Sequence, residues 1–206
     1  VKMRVLSSAA SISSFKGVNL PGVTIDQPVL TEADKVALQF GMQQDVDWVA
    51  VSFVRRSADI TYAKDYLRSI GSNSLVMAKM ERGDGIDNID SILEEVDGVM
   101  VARGDMGVEI PMEQVPLVQK SMVKKANEAA KVSAIATQML LSMVESPTPT
   151  RAEVSDITNA VLDGCDAILL SDETAMGKFP VETVKVAEST IRSAESIYPY
   201  HQEHSP

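Results

Sequence analysis

The chain has 206 residues, of which 45% are hydrophobic, and a formal net charge of −10. This hydrophobic content is enough for one sizeable buried core. The acidic balance, without any basic run, argues against nucleic acid or an anionic membrane surface as a partner. The chain contains no apolar stretch that is long enough to cross a bilayer, so we expect no membrane partner.

Cysteine and histidine offer little chemistry in the body of the chain. Cys165 is the single cysteine, which excludes an internal disulfide framework and indicates a reducing, cytoplasmic compartment. Both histidines, His201 and His204, lie in the polar C-terminal stretch. A metal site elsewhere must therefore be rich in oxygen ligands, which favours Mg²⁺ or Mn²⁺. Because the chain begins at Val1 rather than at methionine, we expect it to be a piece of a longer protein.

The first residues predict a small β unit and then a domain boundary. Residues 1–12 alternate loosely between apolar and polar side chains, which is typical of strands. Residues 15–22 contain the glycines and proline of a connector. Thr31 with Asp34 three residues later predicts the start of a helix that continues to about residue 43.

From residue 48 onward, apolar strands and amphipathic helices alternate. The predicted strands are residues 48–54, 75–80, 98–102, 133–137 and 167–171. The predicted helices are residues 57–70, 86–96, 115–126, 151–162 and 180–194. Strands that are apolar on both faces and alternate with helices indicate an α/β fold with a parallel sheet covered by helices.

Polar side chains lie at or just beyond the carboxyl end of each predicted strand. They are Ser52, Lys79 with Glu81, Arg103 with Asp105, Thr137 with Gln138, and Ser171 with Glu173. A (β/α)₈ barrel builds its active site at that face, whereas a doubly wound sheet gathers ligands mainly at one switch point. The repetition favours the barrel. Five strands cannot close a barrel of eight, so we expect the other strands to lie outside this chain.

Two neighbouring strand ends bring one cation and two carboxylates together. Lys79 and Glu81 are two residues apart on a strand and therefore project to the same face, and Asp105 follows the next strand. Buried charges must pair with one another, or with a metal and an anionic ligand. We interpret Glu81 and Asp105 as ligands of a divalent cation, with Lys79 facing the negative charge of a substrate.

Each of these motifs also has a simpler interpretation. Lys79 and Glu81 could be a solvent-facing ion pair, and residues 104–107 could be only a tight turn. Thr137 could be an ordinary β-branched strand residue, and Ser171 could cap a helix. A functional site is favoured because independent turns and caps need not all converge on one face.

Residues 16–22, 78–81, 100–111, 136–140, 149–153 and 159–164 resemble the pyruvate kinase family, in the family's order and spacing. The segment MVARGDMGVEIP at residues 100–111 is the most specific of them. The resemblance implies a (β/α)₈ TIM barrel interrupted by a β-rich lid. It implies the end of that lid at residues 1–16, the last five βα units of an incomplete barrel at residues 17–200, and a tail at residues 201–206.

The resemblance also implies a reaction and its ligands. The parent protein would transfer the phosphoryl group of phosphoenolpyruvate to ADP, giving pyruvate and ATP in glycolysis. It would require Mg²⁺ or Mn²⁺, with a K⁺ site outside this chain, and would be a homotetramer. We expect the 206-residue chain alone to be inactive, because the first three barrel strands, most of the lid and a C-terminal regulatory domain would lie outside it.

Individual roles follow from the same resemblance. Lys79 would stabilise the transferring phosphoryl group and the developing enolate, and Thr137 would lie near the carbon that is protonated. Glu81 and Asp105 would hold the metal, and Lys16 would approach the nucleotide phosphates. The implied substrate-binding residues are Lys79, Ala102, Arg103, Gly104, Asp105 and Thr137.

The sequence departs from the family pattern at three positions, and two other functions stay open. Asp172 replaces a usual glycine, Phe15 replaces a common basic residue, and Ser133 follows Lys131-Val132 where the family tends to have Pro-Val. One alternative is a metal-dependent lyase of the phosphoenolpyruvate/pyruvate barrel group, against which residues 16–22 and 102–105 argue. The other is a non-catalytic fragment that acts only by association.

Overall fold

The computed structural model describes residue 23 and residues 28–197. Several predictions fall on other residues and lie outside the described part: the lid segment and strands within residues 1–16, the boundary at residues 15–22, Lys16, and the tail at residues 201–206. Among the described helices, none combines the length and the apolar composition that a bilayer span requires.

The described residues form one parallel sheet with helices between its strands. The strands are β1 (Trp48–Val51), β2 (Leu75–Met80), β3 (Gly98–Ala102), β4 (Val132–Ala136) and β5 (Ala167–Leu169). The helices are α1 (Glu32–Gln43), α2 (Ser57–Ser69), α3 (Gly83–Asp87), α4 (Ile89–Glu95), α5 (Arg103–Glu109), α6 (Val115–Glu128), α7 (Arg151–Leu162), α8 (Asp172–Ala175) and α9 (Pro180–Glu195), with 3₁₀ turns at Met112–Gln114 and Leu141–Val144.

The spatial order of the strands equals their order in the chain, β1-β2-β3-β4-β5, and every neighbouring pair is parallel. A doubly wound sheet would reverse its order at a switch point, and this sheet does not. The prediction of an incomplete (β/α)₈ barrel with five βα units is therefore confirmed. Among the described strands, β1 and β5 each pair along one edge only.

Strand alternation divides the apolar side chains into two clusters. The larger cluster, which includes Val76, Ala78 and Met80, packs under the helices. Met77 and Met100 belong to a smaller cluster with Ala134 and Ala136. Because side chains alternate along a strand, the face of β2 that carries Met77 also carries Lys79, as the sequence predicted.

Two aspartates fix the strand register at the amino end of the sheet. Asp97, just before β3, accepts a hydrogen bond from the amide of Val76 in β2 at 2.8 Å. Asp166, just before β5, accepts a bond of the same length from the amide of Ser133 in β4. Because a one-residue slip would break these bonds and reverse every side chain, they specify the register of the sheet.

Helix starts agree with the sequence in one case and differ in another. Thr31 and Asp34 form the predicted capping box at the start of α1, and α1 ends at Gln43. Ser57, a residue type typical of helix caps, is instead the first helical residue of α2 and makes no capping bond. Asp59 instead accepts the amide of Arg55 at 3.0 Å, which fixes the loop between β1 and α2.

Two strands are shorter than predicted because their last residues turn away to make other bonds. β1 ends at Val51 rather than at residue 54. Phe53 has φ 55°, a left-handed conformation that bends the chain out of the sheet. β5 ends at Leu169 rather than at residue 171, and the amide of Ser171 bonds to Glu173 instead.

Gly85 gives a test of the packing between α3 and the loop after β1. A Cβ at Gly85 would overlap the backbone carbonyl oxygen of Val54, whereas a Cβ at Gly83 in the same helix would meet nothing within 4 Å. We expect Gly85→Ala to lower the free energy of unfolding by about 2 kcal/mol, because backbone cannot yield as a side chain can. Urea titration measures the change. Gly83→Ala is the matched control and should be neutral or slightly stabilising; equal effects of the two variants would contradict the packing.

Candidate active site

The carboxylate of Glu81 is the most deeply buried charge at the carboxyl edge of β2. Its side chain is 1% exposed, and Oε1 lies 2.7 Å from Nζ of Lys79. The other oxygen, Oε2, accepts the amide of Phe53 at 2.8 Å. Lys79 also donates to the hydroxyl of Ser52 at 3.2 Å. The two side chains therefore project together as predicted, and Glu81 is not part of a solvent-facing pair.

Asp105 lies in the first turn of α5 and lines the same cavity as Glu81. This cavity has a volume of about 810 Å³ and also borders Arg55, Arg82 and Glu109. Residues 104–107 belong to α5 rather than to an isolated tight turn. The structure thus places the two predicted metal ligands, which come from neighbouring strands, at one cavity.

The donor set in this cavity fits a hard divalent cation. Mg²⁺ is commonly held by one or two carboxylates, with water and substrate oxygens completing its six ligands. In the described part of the chain, no group of three or more His, Cys, Asp or Glu side chains is arranged to hold a metal. Glu81 and Asp105, which line one cavity, are two carboxylates of the kind that such a cation accepts.

The guanidinium of Arg103 binds protein groups. Nε and Nη2 donate to the carbonyl oxygen of Thr137 at 3.2 and 2.7 Å. Nη1 donates to both carboxylate oxygens of Asp156 at 2.9 and 2.7 Å, and to Gln119 at 3.3 Å. With its side chain 14% exposed, Arg103 connects β3, the loop after β4, and α7. The resemblance implied a substrate role for Arg103, whereas these partners lie far along the chain and leave no local signal in the sequence.

Thr137 lies one residue beyond β4, in a conformation that is unusual for a threonine. Its φ is 80°, and that of Gln138 is 59°. An ordinary β-branched strand residue would be extended, so that simpler interpretation of Thr137 is wrong. Gly104 faces it closely, because a Cβ at Gly104 would lie 2.9 Å from Cγ2 of Thr137.

Glu173 connects the loops after β4 and β5. It is 1% exposed and accepts the amides of Leu140 at 3.0 Å and Ser171 at 2.8 Å. Ser171 precedes α8 without a side-chain capping bond. Asp172 is the exposed first residue of α8 and has a negative φ, so its backbone does not require the glycine that the resemblance led us to expect there.

The N-terminus of α7, the helix that carries Asp156, is held by Glu153. Thr150 and Glu153 form a capping box, and Glu153 also accepts the amide and hydroxyl of Ser142 at 2.7 and 2.6 Å. Burial alone would raise the pKa of Glu153. The hydrogen bonds from Ser142 and Thr150 outweigh it and hold this pKa below its usual range.

This lowered pKa makes the stability contribution of Glu153 depend on pH. A carboxyl whose pKa is lower in the folded state stabilises the fold above its unfolded pKa, about 4.3, and loses this effect as the pH falls through the folded value. We expect Glu153→Gln to cost about 1 kcal/mol at neutral pH, because a neutral amide replaces the charged acceptor of the bonds from Ser142 and Thr150. As the pH is lowered below about 4, the free energy of unfolding of Glu153→Gln should fall less than that of the unsubstituted protein.

Urea titrations at several pH values measure this difference. Glu145→Gln is the control, because Glu145 lies in the same connection but pairs with Lys178 on the surface, where both side chains are more than half exposed. It should change stability little at any pH. Parallel pH profiles of the unsubstituted protein and Glu153→Gln would contradict the prediction.

Residues 1–184 match the family model described as pyruvate kinase, barrel domain. The chain is 50% identical over 200 residues to a pyruvate kinase of Schizosaccharomyces pombe, and the matched segment covers 97% of this chain and 39% of the relative. It is 53% identical over 176 residues to pyruvate kinase 2 of Synechocystis, covering 85% and 30%. A pyruvate kinase of Staphylococcus aureus is 48% identical over 200 residues, covering 97% and 34%. The chain thus spans two fifths or less of the length of these relatives.

Proposed function

Because the chain belongs to the pyruvate kinase family, we propose that the complete polypeptide carrying it transfers the phosphoryl group of phosphoenolpyruvate to ADP. The products are pyruvate and ATP, and the reaction is a step of glycolysis. The observation that carries this proposal is the Lys79–Glu81 ion pair at the end of β2, with Glu81 and Asp105, from neighbouring strand ends, lining one cavity.

The charges at this edge suit phosphoryl transfer. The reaction depends mainly on positioning and on neutralising the charge of the transferred group. Lys79 donates to the oxygens of that group, and then to the enolate oxygen that the departing phosphorus leaves behind. The divalent cation, Mg²⁺ or Mn²⁺, supplies further charge neutralisation when it is bound, and Glu81 and Asp105 would hold it.

The loops after β3 and β4 provide the other proposed contacts. Ala102, Arg103 and Gly104 line the phosphoenolpyruvate site through their backbone, since the Arg103 guanidinium is engaged with Thr137 and Asp156. Thr137 lies near the enolate carbon, which takes up a proton to become the methyl group of pyruvate. Lys16, which lies outside the described residues, is proposed to contact the nucleotide phosphates.

The activity requires more of the barrel than the described residues contain. The described sheet has five strands, and a closed (β/α)₈ barrel has eight. We therefore assign the reaction to the complete polypeptide, in the cytoplasm as a homotetramer, with K⁺ bound by residues outside this chain. The 206-residue chain alone is expected to be inactive.

The first experiment measures ATP formation from phosphoenolpyruvate and ADP by the complete polypeptide. Lys79→Met should lower kcat by about a hundredfold to a thousandfold, because a positioned donor to a developing oxyanion is lost. Lys64→Met is the matched control: Lys64 is similarly buried and pairs with Asp97, at the opposite end of the sheet. Full activity of Lys79→Met would refute the role of Lys79. Release of an aldehyde in place of ATP would favour a lyase.

A second experiment measures metal binding independently of turnover. Titration of the complete polypeptide with Mn²⁺, followed by electron paramagnetic resonance, should show at least about tenfold weaker binding in Glu81→Gln and Asp105→Asn, since each loses a charged ligand. Glu109→Gln is the control, because Glu109 borders the same cavity and is not assigned to the metal. Equal weakening in all three variants would indicate a general charge effect and contradict the assigned ligands.

A further inference from the structure

We propose that Asp156 is a positioning residue, which holds Thr137 in its working orientation through the guanidinium of Arg103. Asp156 lies on α7 and bonds to Arg103 rather than to the proposed substrate position. The inference rests on the proposed function, since it is there that Thr137 is assigned to the enolate carbon. It adds a second role for the ion pair, beyond stabilising the fold.

Thr137 needs such support because its backbone conformation is unfavourable. Thr137 and Gln138 form two successive left-handed residues, with φ 80° and 59°. A β-branched side chain in this region is strained and persists only where its surroundings fix it. The conformation therefore depends on contacts made by other elements.

Two contacts fix Thr137 from the side of β3 and α5. The forked donation from Nε and Nη2 of Arg103 fixes the direction of the Thr137 carbonyl. Gly104, the next residue, leaves only enough room for the Thr137 methyl group. The peptide plane and the side chain of Thr137 are thus both constrained by neighbouring residues of one segment.

Asp156 in turn fixes Arg103. Both of its oxygens accept from Nη1 of Arg103, at 2.9 and 2.7 Å. Arg103 is largely buried, so its charge needs a partner. Without the carboxylate, an anionic substrate nearby would compete for the guanidinium. The loss of Asp156 would therefore draw Arg103 away from Thr137, disturbing proton delivery while leaving the attraction for substrate intact.

This effect differs from that of an ordinary ion pair. Loss of a purely structural pair lowers stability and leaves the properties of the folded site unchanged. Loss of Asp156 as a positioning residue lowers kcat without raising KM for phosphoenolpyruvate. It also slows exchange of the pyruvate methyl protons with solvent. The same arrangement that protonates the enolate carbon removes a proton from the pyruvate methyl group in the reverse direction.

The test compares Asp156→Asn with Asp97→Asn in the complete polypeptide. Asp97 is the matched control because it pairs with Lys64 at similar exposure, at the opposite end of the sheet. Steady-state kinetics give kcat and KM, and nuclear magnetic resonance in D₂O gives the rate of pyruvate methyl exchange. In Asp156→Asn we expect both kcat and the exchange rate to fall about tenfold to a hundredfold, the range for a misplaced reacting group, with KM not raised. Asp97→Asn should lose stability only.

A second variant keeps the test decisive if Asp156→Asn does not fold. Arg103→Lys retains a positive charge for Asp156 but cannot donate in a fork to the Thr137 carbonyl. It should slow methyl exchange by a similar factor.

The outcomes separate the two proposals. An unchanged rate of methyl-proton exchange in Asp156→Asn would overturn the positioning role. If Asp156→Asn does not fold, the same result in Arg103→Lys would overturn it. ATP formation by the unsubstituted protein would still support the proposed function. Absence of both ATP formation and methyl exchange in the unsubstituted protein would overturn the proposed function and this inference with it.

Discussion

The burial of the Glu81 carboxylate is the constraint on which the geometry of the site depends. A carboxylate that is 1% exposed must be matched by donors, or the fold loses several kcal/mol. Lys79 and the amide of Phe53 are the donors that match it. Because Phe53 lies in the loop after β1, its bond to Glu81 also determines where β1 ends and how that loop turns.

The same arrangement recurs along the carboxyl edge of the sheet. Glu81 connects the ends of β1 and β2, Arg103 with Asp156 connects β3 to the loop after β4, and Glu173 connects the loops after β4 and β5. Each connection uses an acidic or basic side chain to bond to backbone of a neighbouring loop. The proposed catalytic groups are therefore held by neighbouring strands rather than by their own loops, which is the rigidity that charge neutralisation in phosphoryl transfer requires.

Sequence periodicity was sufficient for the five strands, the longer helices and the faces of their side chains, but it did not indicate the short helices α5 and α8. The projection of Lys79 and Glu81 to one face follows from the two-residue repeat of a strand, and the capping box at Thr31 follows from local spacing. The loops could not be predicted, because their conformations depend on partners distant in the chain. Arg103 and Asp156 are 53 positions apart, and neither residue carries a local signal of the other. The left-handed conformation of Phe53 likewise depends on Glu81, 28 positions later.

Gly104 and Thr137 show how such distant partners restrict each other's chemistry. The space that a side chain at position 104 would need is filled by the γ-methyl group of position 137. Replacement of the glycine alone would force the threonine to move, whereas simultaneous replacement of the threonine by serine would remove the overlapping methyl group and keep a hydroxyl. The coupling therefore runs in one direction: a side chain at position 104 is accommodated once position 137 gives up its γ-methyl group, whereas the smaller residue at position 137 needs no change at position 104.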